Sequence, residues 1–323
     1  MGNKKQVILE AIYRLNNFPT RSIARYLLDT YGNLFDNDFE SIRSSVRYYR
    51  GESGDRQRKL CATLIKPAKE TIPPTWNRKV KPYNLPVGKW LILSDLHVPF
   101  HEIKPIESAI AYGQKEKVTG VLLNGDFQDC QAVTYWPSVV RKNFMGEVML
   151  VIQMLDFIRQ EFPKAKIIYK PGNHEYRLPR YYASNAPEMI GNPLLAMETM
   201  IDFEGRGIDF LDYFQRINAG KLPIYHGHEF KTLSTAVNPA RGLFLKAKKW
   251  AAVSHYHRTS EHTDTDVDDV YLTTWSFGCL SNLHPEWMPV GSNWNHGCAI
   301  VEVEKNGDFE VHNKRILANG KVV

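Results

Sequence analysis

Five short apolar runs in this 323-residue chain each stop at a group of Asp, His or Asn side chains. "LILSDLH" ends on Asp95 and His97, and "VLLNGDFQD" ends on Asp126 and Asp129. "IIYKPGNHE" closes on Asn173 and His174, "LPIYHGHE" on His226 and His228, and "AAVSHYH" on His255 and His257. A continuous apolar run of this length, bounded by turn residues, reads as a strand buried on both faces. Titratable groups at the ends of such strands are costly to desolvate, so a chain that keeps five of them in order is built around a polar site. Open α/β sheets place their sites beyond the carboxyl ends of strands. A lone DxH or HxH means little, and it is the succession that constrains the fold.

Between these runs lie helix-like stretches such as "KPIESAIAYGQKE" and "VMLVIQMLDFIRQEF". The tail, "CAIVEVEKNGDFEVHNKRIL", reads as a hairpin turning at Asn306-Gly307. Strands alternating with helices and then a β-rich tail predict an α/β body over residues 89–323. The ligand-capable groups are imidazoles, carboxylates and one amide, with no thiolate, a set that suits Mn, Fe or Zn.

The N-terminal part has another texture. "KKQVILEAIYRL", "FPTRSIARYLLDTYG" and "DNDFESIRSSVRYYRG" each carry an apolar stripe at helical spacing, with Thr20 as a candidate N-cap and Gly32 as a stop. They predict a small all-α, helix-turn-helix-like domain over residues 1–51. Residues 52–88, rich in Pro, Lys and Arg, read as a linker. Charge follows the same division: up to Lys81 there are 16 Lys and Arg against 8 Asp and Glu, a net of +8, which leaves −2 for the remainder. A basic appendage on a near-neutral body predicts a polyanionic partner. Arg43, Arg47 and Arg50 recur at i, i+4 and i+7 and are the candidate nucleic-acid contacts, DNA in the first instance.

No apolar run approaches the roughly 18–20 residues that cross a bilayer, and the N-terminus lacks the apolar core of a secretory signal. The four cysteines show no CxxC spacing and are expected to be free thiols, which places the chain in the cytoplasm.

The polar groups together resemble the calcineurin-like metallophosphoesterases, whose pattern is DxH, GDxxD, GNH(D/E), H and GHxH. Here it stands as Asp95-Leu96-His97, Gly125-Asp126 to Asp129, Gly172-Asn173-His174-Glu175, His226, and His255 with His257. The resemblance implies two packed β-sheets flanked by helices and a centre for two divalent metal ions. Mn2+ is expected, and Fe, Zn, Ni or Mg are also compatible. It assigns Asp95, His97 and His257 to one ion, Asp126 to both, and Asn173, His226 and His255 to the other. It makes His174 the general acid, with Asp129 orienting it, in an attack by a hydroxide that bridges the metals. Glu175 would support the loop, and His228 and His101 would stand behind the ligands.

Two departures matter. Ser254 stands where the family has Gly, and Cys130 stands where the phosphoprotein phosphatases carry an Arg after GDxxD. Arg177 and Arg180 are candidates for a replacement phosphate clamp. The architecture is similar to phage and mobile-element phosphoesterases and, in its catalytic part, to SbcD-type repair nucleases, some of which form homodimers. The expected activity is hydrolysis of phosphodiester bonds in nucleic acid. The alternatives are a phosphomonoesterase or small-nucleotide phosphodiesterase, and a DNA-binding protein with a vestigial metal site.

Overall fold

In the first unit, Met1–Lys79, an apolar stripe on each of three helices meets its neighbours. The helices are α1 (Lys4–Arg14), α2 (Thr20–Tyr31) and α3 (Phe39–Tyr49), followed by the short α4 (Asp55–Ala62). Ile8 and Ile12 of α1, Ile23 and Leu27 of α2, and Ile42 and Val46 of α3 close a small core with Phe35. Asp36 and Asn37, both at φ 56°, turn the chain between α2 and α3, a left-handed conformation that Asp and Asn tolerate better than most residues. Asp38 then caps α3 by accepting from Ser41 N at 3.1 Å. Thr20 is not the cap of α2. Pro19 holds that position without a side-chain bond, and the Thr20 hydroxyl instead meets Arg50 and Glu52.

The computed structural model describes residues 4–52, 54–62, 80–136, 143–230, 237–286 and 288–323. The expected linker, 52–88, contains α4 in the first unit and a two-residue strand in the second. An eight-residue helix is too short for its periodicity to be read, and its anchoring Cys61 is buried against Tyr48 O. Residues 63–79 of that stretch lie outside the described residues.

The second unit, Val80–Val323, holds two six-stranded sheets. Its strands are β1 (Tyr83–Asn84), β2 (Gly88–Leu93), β3 (Gly120–Asn124), β4 (Lys166–Lys170), β5 (Ile208–Phe210), β6 (Ile217–Ala219) and β7 (Leu222–Ile224). They continue with β8 (Ala251–Val253), β9 (Ser260–Thr265), β10 (Tyr271–Ser276), β11 (Gly297–Val303) and β12 (Phe309–Arg315). One sheet runs β12-β11-β2-β3-β4-β5, with β2 to β5 parallel, and the other runs β1-β6-β7-β8-β10-β9. The expected tail hairpin is the β11–β12 pair, which joins the first sheet antiparallel to β2.

Alternation along the strands builds the layers. Trp90 and Ile92 of β2, Leu122 of β3, Ile168 of β4, and Ala299 and Val301 of β11 face inward against Ile217, Leu222, Ile224, Ala252 and Trp275 of the other sheet. Their neighbours Leu91, Leu93, Val121, Leu123, Ile167 and Tyr169 face outward. They are covered by α5 (Ile103–Lys115), α6 (Phe144–Glu161), α7 (Arg177–Asn185) and α8 (Met197–Ile201), which supply Ile106, Ile110, Val151, Leu155, Ile158, Leu178 and Ile201. On the far sheet α9 (Pro239–Ala247) lays Leu243 over Ala251 and Val253. Both faces of the central strands are therefore buried, which is why their sequences read as unbroken apolar runs. The architecture is the expected double sheet flanked by helices. Among the described residues, no helix is long and apolar enough to cross a membrane.

Candidate metal centre

β2, β3, β4, β7 and β8 all deliver their carboxyl ends to one edge of the sandwich. Asp95 and His97 follow β2, Asp126 follows β3, Asn173 and His174 follow β4, His226 follows β7, and His255 and His257 follow β8. The turns that carry them are sharp. Asp95 (φ 53°), His97 (φ 50°), Asp126 (φ 50°), His255 (φ 64°) and His257 (φ 54°) all lie in the left-handed region, where a non-glycine residue is rare and strained. Gly125 and Gly172 allow the close approach: a Cβ on Gly125 would run into the His226 ring, and one on Gly172 into the Asp126 carboxylate.

Asp126 is the centre of the cluster. Its Oδ2 lies 3.1 Å from His226 Nε2, 3.8 Å from His174 Nε2, 3.9 Å from His97 Nε2 and 3.9 Å from His255 Nδ1. On one side Asp95, His97 and His257 converge, with His257 Nε2 3.2 Å from Asp95 Oδ1 and 3.1 Å from His97 Nε2. On the other side Asp126, His226 and His255 form a second convergent triad. The Asn173 side-chain oxygen is buried without a partner.

These residues fit a metal site by a direct test. Asn173 Oδ1 and His255 Nδ1 are buried and have no hydrogen-bond partner, although buried polar atoms in folded proteins nearly always find one, and Asp95 Oδ1 and His226 Nε2 have only an ionisable neighbour, at 3.2 and 3.1 Å. His226 explains how. Its Nδ1 donates to Asn124 O at 2.8 Å, which turns the Nε2 lone pair toward the Asp126 carboxylate. Two lone pairs face each other, and only a proton or a cation between them makes that arrangement favourable. Burial opposes a charged His226, but Asp126 outweighs it and lifts the ring to about 9. Burial likewise opposes ionisation of Asp126, and His226 and His174 nevertheless hold its carboxyl well below the usual range. A divalent cation supplies the same positive charge without the proton, so cation and proton compete for this edge.

Asp129 organises one flank. Its Oδ2 accepts from His97 Nδ1 at 2.9 Å and from His174 Nδ1 at 3.1 Å. Burial resists its charge, but those two hydrogen bonds hold the carboxyl well below its ordinary value. Arg177 also turns onto Asp129, donating to its carbonyl at 2.8 Å and to Oδ1 at 3.2 Å, while its Nη2 lies 3.0 Å from His174 Nε2. In this arrangement Arg177 is engaged with Asp129 and His174, and Arg180 is exposed on α7. Burial works against protonation of His174, but Asp126 and Asp129 prevail and raise it above the usual imidazole value.

Glu175 has a larger role than loop support. Fully buried, its carboxylate accepts from the backbone N–H of Asp126, Phe127, Gln128 and Gly172 at 2.7–3.1 Å, and from the Tyr169 hydroxyl at 2.8 Å. It thereby ties the GNHE loop to the GDFQD loop. Glu147, in the first turn of α6, accepts from Cys130 N and Gln131 N just beyond. Lys170 is fully buried, with Nζ donating to Pro171 O and Tyr213 O at 3.1 Å each and lying 3.6 Å from Glu229. Sequence reasoning passed over Glu147 and Lys170. The available signals were a lysine ending an apolar strand beside the motif and one acid in the first turn of an apolar helix. Ser254 also has a local reason: its Oγ accepts from Asn124 Nδ2 at 2.8 Å.

His228 stands near the second triad, its ring 5.5 Å from that of His226, and burial pushes it down to about 4, so it is neutral at ordinary pH. His101 is half-buried, with its Nδ1 unpartnered. In the first unit, Arg50 is committed to its own fold, donating to Phe18 O, Asn16 O and Thr20 Oγ1 at 2.8–3.2 Å. Arg43 pairs with Glu40 at 2.9 Å, and Arg47 lies 3.6 Å from Glu52. The three arginines therefore do not form one free face.

Residues 88–278, more than half the chain and the whole of this cluster, match the model of the calcineurin-like phosphoesterases. The chain belongs to that family. This calcineurin-like phosphoesterase is 22% identical over 227 residues to the Gene 54 protein of Mycobacterium phage L5, across 66% of this chain and 88% of that protein. Among solved structures it is similar to the phosphoesterase YfcE from E. coli, with a TM-score of 0.31 and 12% identity over 69% of this chain and 98% of that one. It is also similar to a dimetal phosphatase from Danio rerio, with a TM-score of 0.35 and 11% identity over 71% of this chain and 96% of that one.

Proposed function

We propose that the chain is a dinuclear-metal phosphodiesterase whose substrate is nucleic acid, DNA in the first instance. The observation that carries the reading is the Asp126 carboxylate, set within 3.9 Å of four imidazoles and shared between two convergent sides. Asp95, His97 and His257 would hold one ion, and Asn173, His226 and His255 the other, with Asp126 common to both. Two divalent ions there, Mn2+ by preference, would polarise the phosphoryl oxygens and lower the pKa of a water between them.

The protein's own groups supply the rest. Asp129 fixes the His174 ring through Nδ1, which leaves Nε2 as the atom to pass a proton to the departing oxygen. Arg177 occupies that edge at 3.0 Å, so it yields the position as substrate arrives and then meets the phosphoryl group. Glu175 holds the two loops in register throughout. The surplus of basic residues in the first quarter supports a polyanionic substrate, with exposed Arg47 and the half-buried Arg43 as its contacts. Cytoplasmic residence and a homodimer belong to the same proposal.

The test uses metal-stripped protein restored with Mn2+ and assayed on bis-p-nitrophenyl phosphate beside labelled single- and double-stranded DNA. Cleavage of both, with bound metal reduced and turnover cut by at least about 10³-fold in Asp126→Asn, is the expected result. Turnover of the small ester alone would refute the nucleic-acid assignment and favour a small-nucleotide substrate. No turnover of any phosphoester by metal-loaded protein would overturn the reading entirely.

A further inference from the structure

Beside the cluster opens a cavity of about 150 Å3, and His97, Asp129 and His257 are walls of both. An occupant would therefore lie directly beside the candidate metal centre. The opposite walls are aromatic. Phe100 lies on one side, and the Trp294 ring sits 4.1 Å from that of His257 at 61°. Ser281 and Gln131 are among the residues that line it, and Ser281 is 3% exposed.

Size and charge decide the occupant. A largely apolar space of about 150 Å3 takes one benzene-sized ring. Among the described residues the lining contains the carboxylates of Asp129 and Glu286 and no Lys or Arg, which favours a neutral group over a second phosphate. A neutral flat ring that stacks on Trp294 fits this lining, since an aromatic side chain against a base contributes about tenfold or more to affinity. We propose that this cavity is the subsite for a single six-membered aromatic ring on one ester arm of the substrate, a pyrimidine when the substrate is nucleic acid. The proposal rests on the phosphoesterase reading and adds which chemical group lies beside the reacting phosphorus.

Non-hydrolysable phosphonates separate the two ideas. Methyl-, phenyl- and 1-naphthylphosphonate are titrated into full-length Mn2+-loaded protein by calorimetry and checked as competitive inhibitors. Phenylphosphonate is expected to bind about tenfold tighter than methylphosphonate, and naphthylphosphonate no tighter than phenyl. The phenyl-to-methyl ratio is expected to fall to about one in Trp294→Ala and in Ser281→Leu, whose added carbons occupy the cavity. A ratio near one in the unaltered protein, or a ratio that survives both substitutions, overturns the subsite. Thymidine 5′-monophosphate is expected to compete better than deoxyadenosine 5′-monophosphate, and equal competition overturns the pyrimidine assignment. Binding of methylphosphonate without a phenyl advantage removes the subsite alone, whereas failure of every phosphonate to bind metal-loaded protein removes the phosphoesterase reading with it.

Discussion

Two polar regions of this chain look alike in sequence and differ in structure. The arginines of α3 and the histidines of the sheet edge are both charged clusters at regular spacing. In the first unit the charge is settled locally: Arg50 is spent on two carbonyls and a hydroxyl, Arg43 on Glu40, and Arg47 lies near Glu52. At the sheet edge Asn173 Oδ1 and His255 Nδ1 are buried and left open. An unmet buried donor or acceptor costs about 1–3 kcal/mol, whereas an exposed ion pair contributes about 0–1 kcal/mol. The informative cluster is the one whose chemistry is unfinished.

The comparison breaks first if the buried network beneath the edge proves dispensable. Lys170→Met leaves the carbonyls of Pro171 and Tyr213 without their donor in the interior, and urea unfolding is expected to show a loss of about 3–5 kcal/mol, at about 1–3 kcal/mol for each open carbonyl. A loss under 1 kcal/mol would mean that the edge is no more demanding than the surface.

Glu147 gives the next effect, through pH. Burial pushes its carboxyl from the ordinary 4.5 up to about 7. A raised folded value means that this group's contribution is complete below pH 4.5 and is lost as pH climbs toward 7, about 2–3 kcal/mol in all. Glu147→Gln has no such proton to lose, so its melting temperature between pH 5 and 7.5 is expected to decline less than that of the unaltered protein. Parallel pH profiles would contradict the assignment.

Glu175→Gln sharpens the comparison at the edge itself. The substitution disturbs four backbone hydrogen bonds without touching a ligand, and Mn2+ affinity measured by calorimetry is expected to fall about 10–100-fold. Unchanged affinity would make Glu175 a mere core residue.

Smallest are the surface arginines. Arg47→Ala is expected to alter folding stability by less than about 0.5 kcal/mol and to lower the salt slope of DNA binding by about one. An unchanged slope would remove this residue from the nucleic-acid interface.

Much of this was legible in the sequence. Polar groups end apolar strands, and strand ends are readable from hydropathy, so the succession from Asp95 to His257 could be named as one site before any coordinates, while the choice of ligands within it came from the resemblance to the family's pattern. The stripes of α1 to α3 were readable for the same reason. The roles of Glu147, Glu175 and Lys170 were not, because each depends on which distant backbone amides or carbonyls the fold brings within reach. Arg50 misled for the complementary reason. Helical spacing states which side a residue leaves from, and the loop at Asn16–Phe18 that receives it belongs to tertiary structure.

The left-handed turns at Asp95, His97, Asp126, His255 and His257 bear on the life of the polypeptide. Such a conformation costs a non-glycine residue on the order of 1–3 kcal/mol at most sites, less for the Asp and His side chains that tolerate it best, and five together still take a share of the margin of a folded domain, about 5–15 kcal/mol. A cation that binds the folded edge and not the open chain restores part of that margin by mass action. Metal removal is therefore expected to leave the folded chain more open to proteases, and added divalent cation to reverse that.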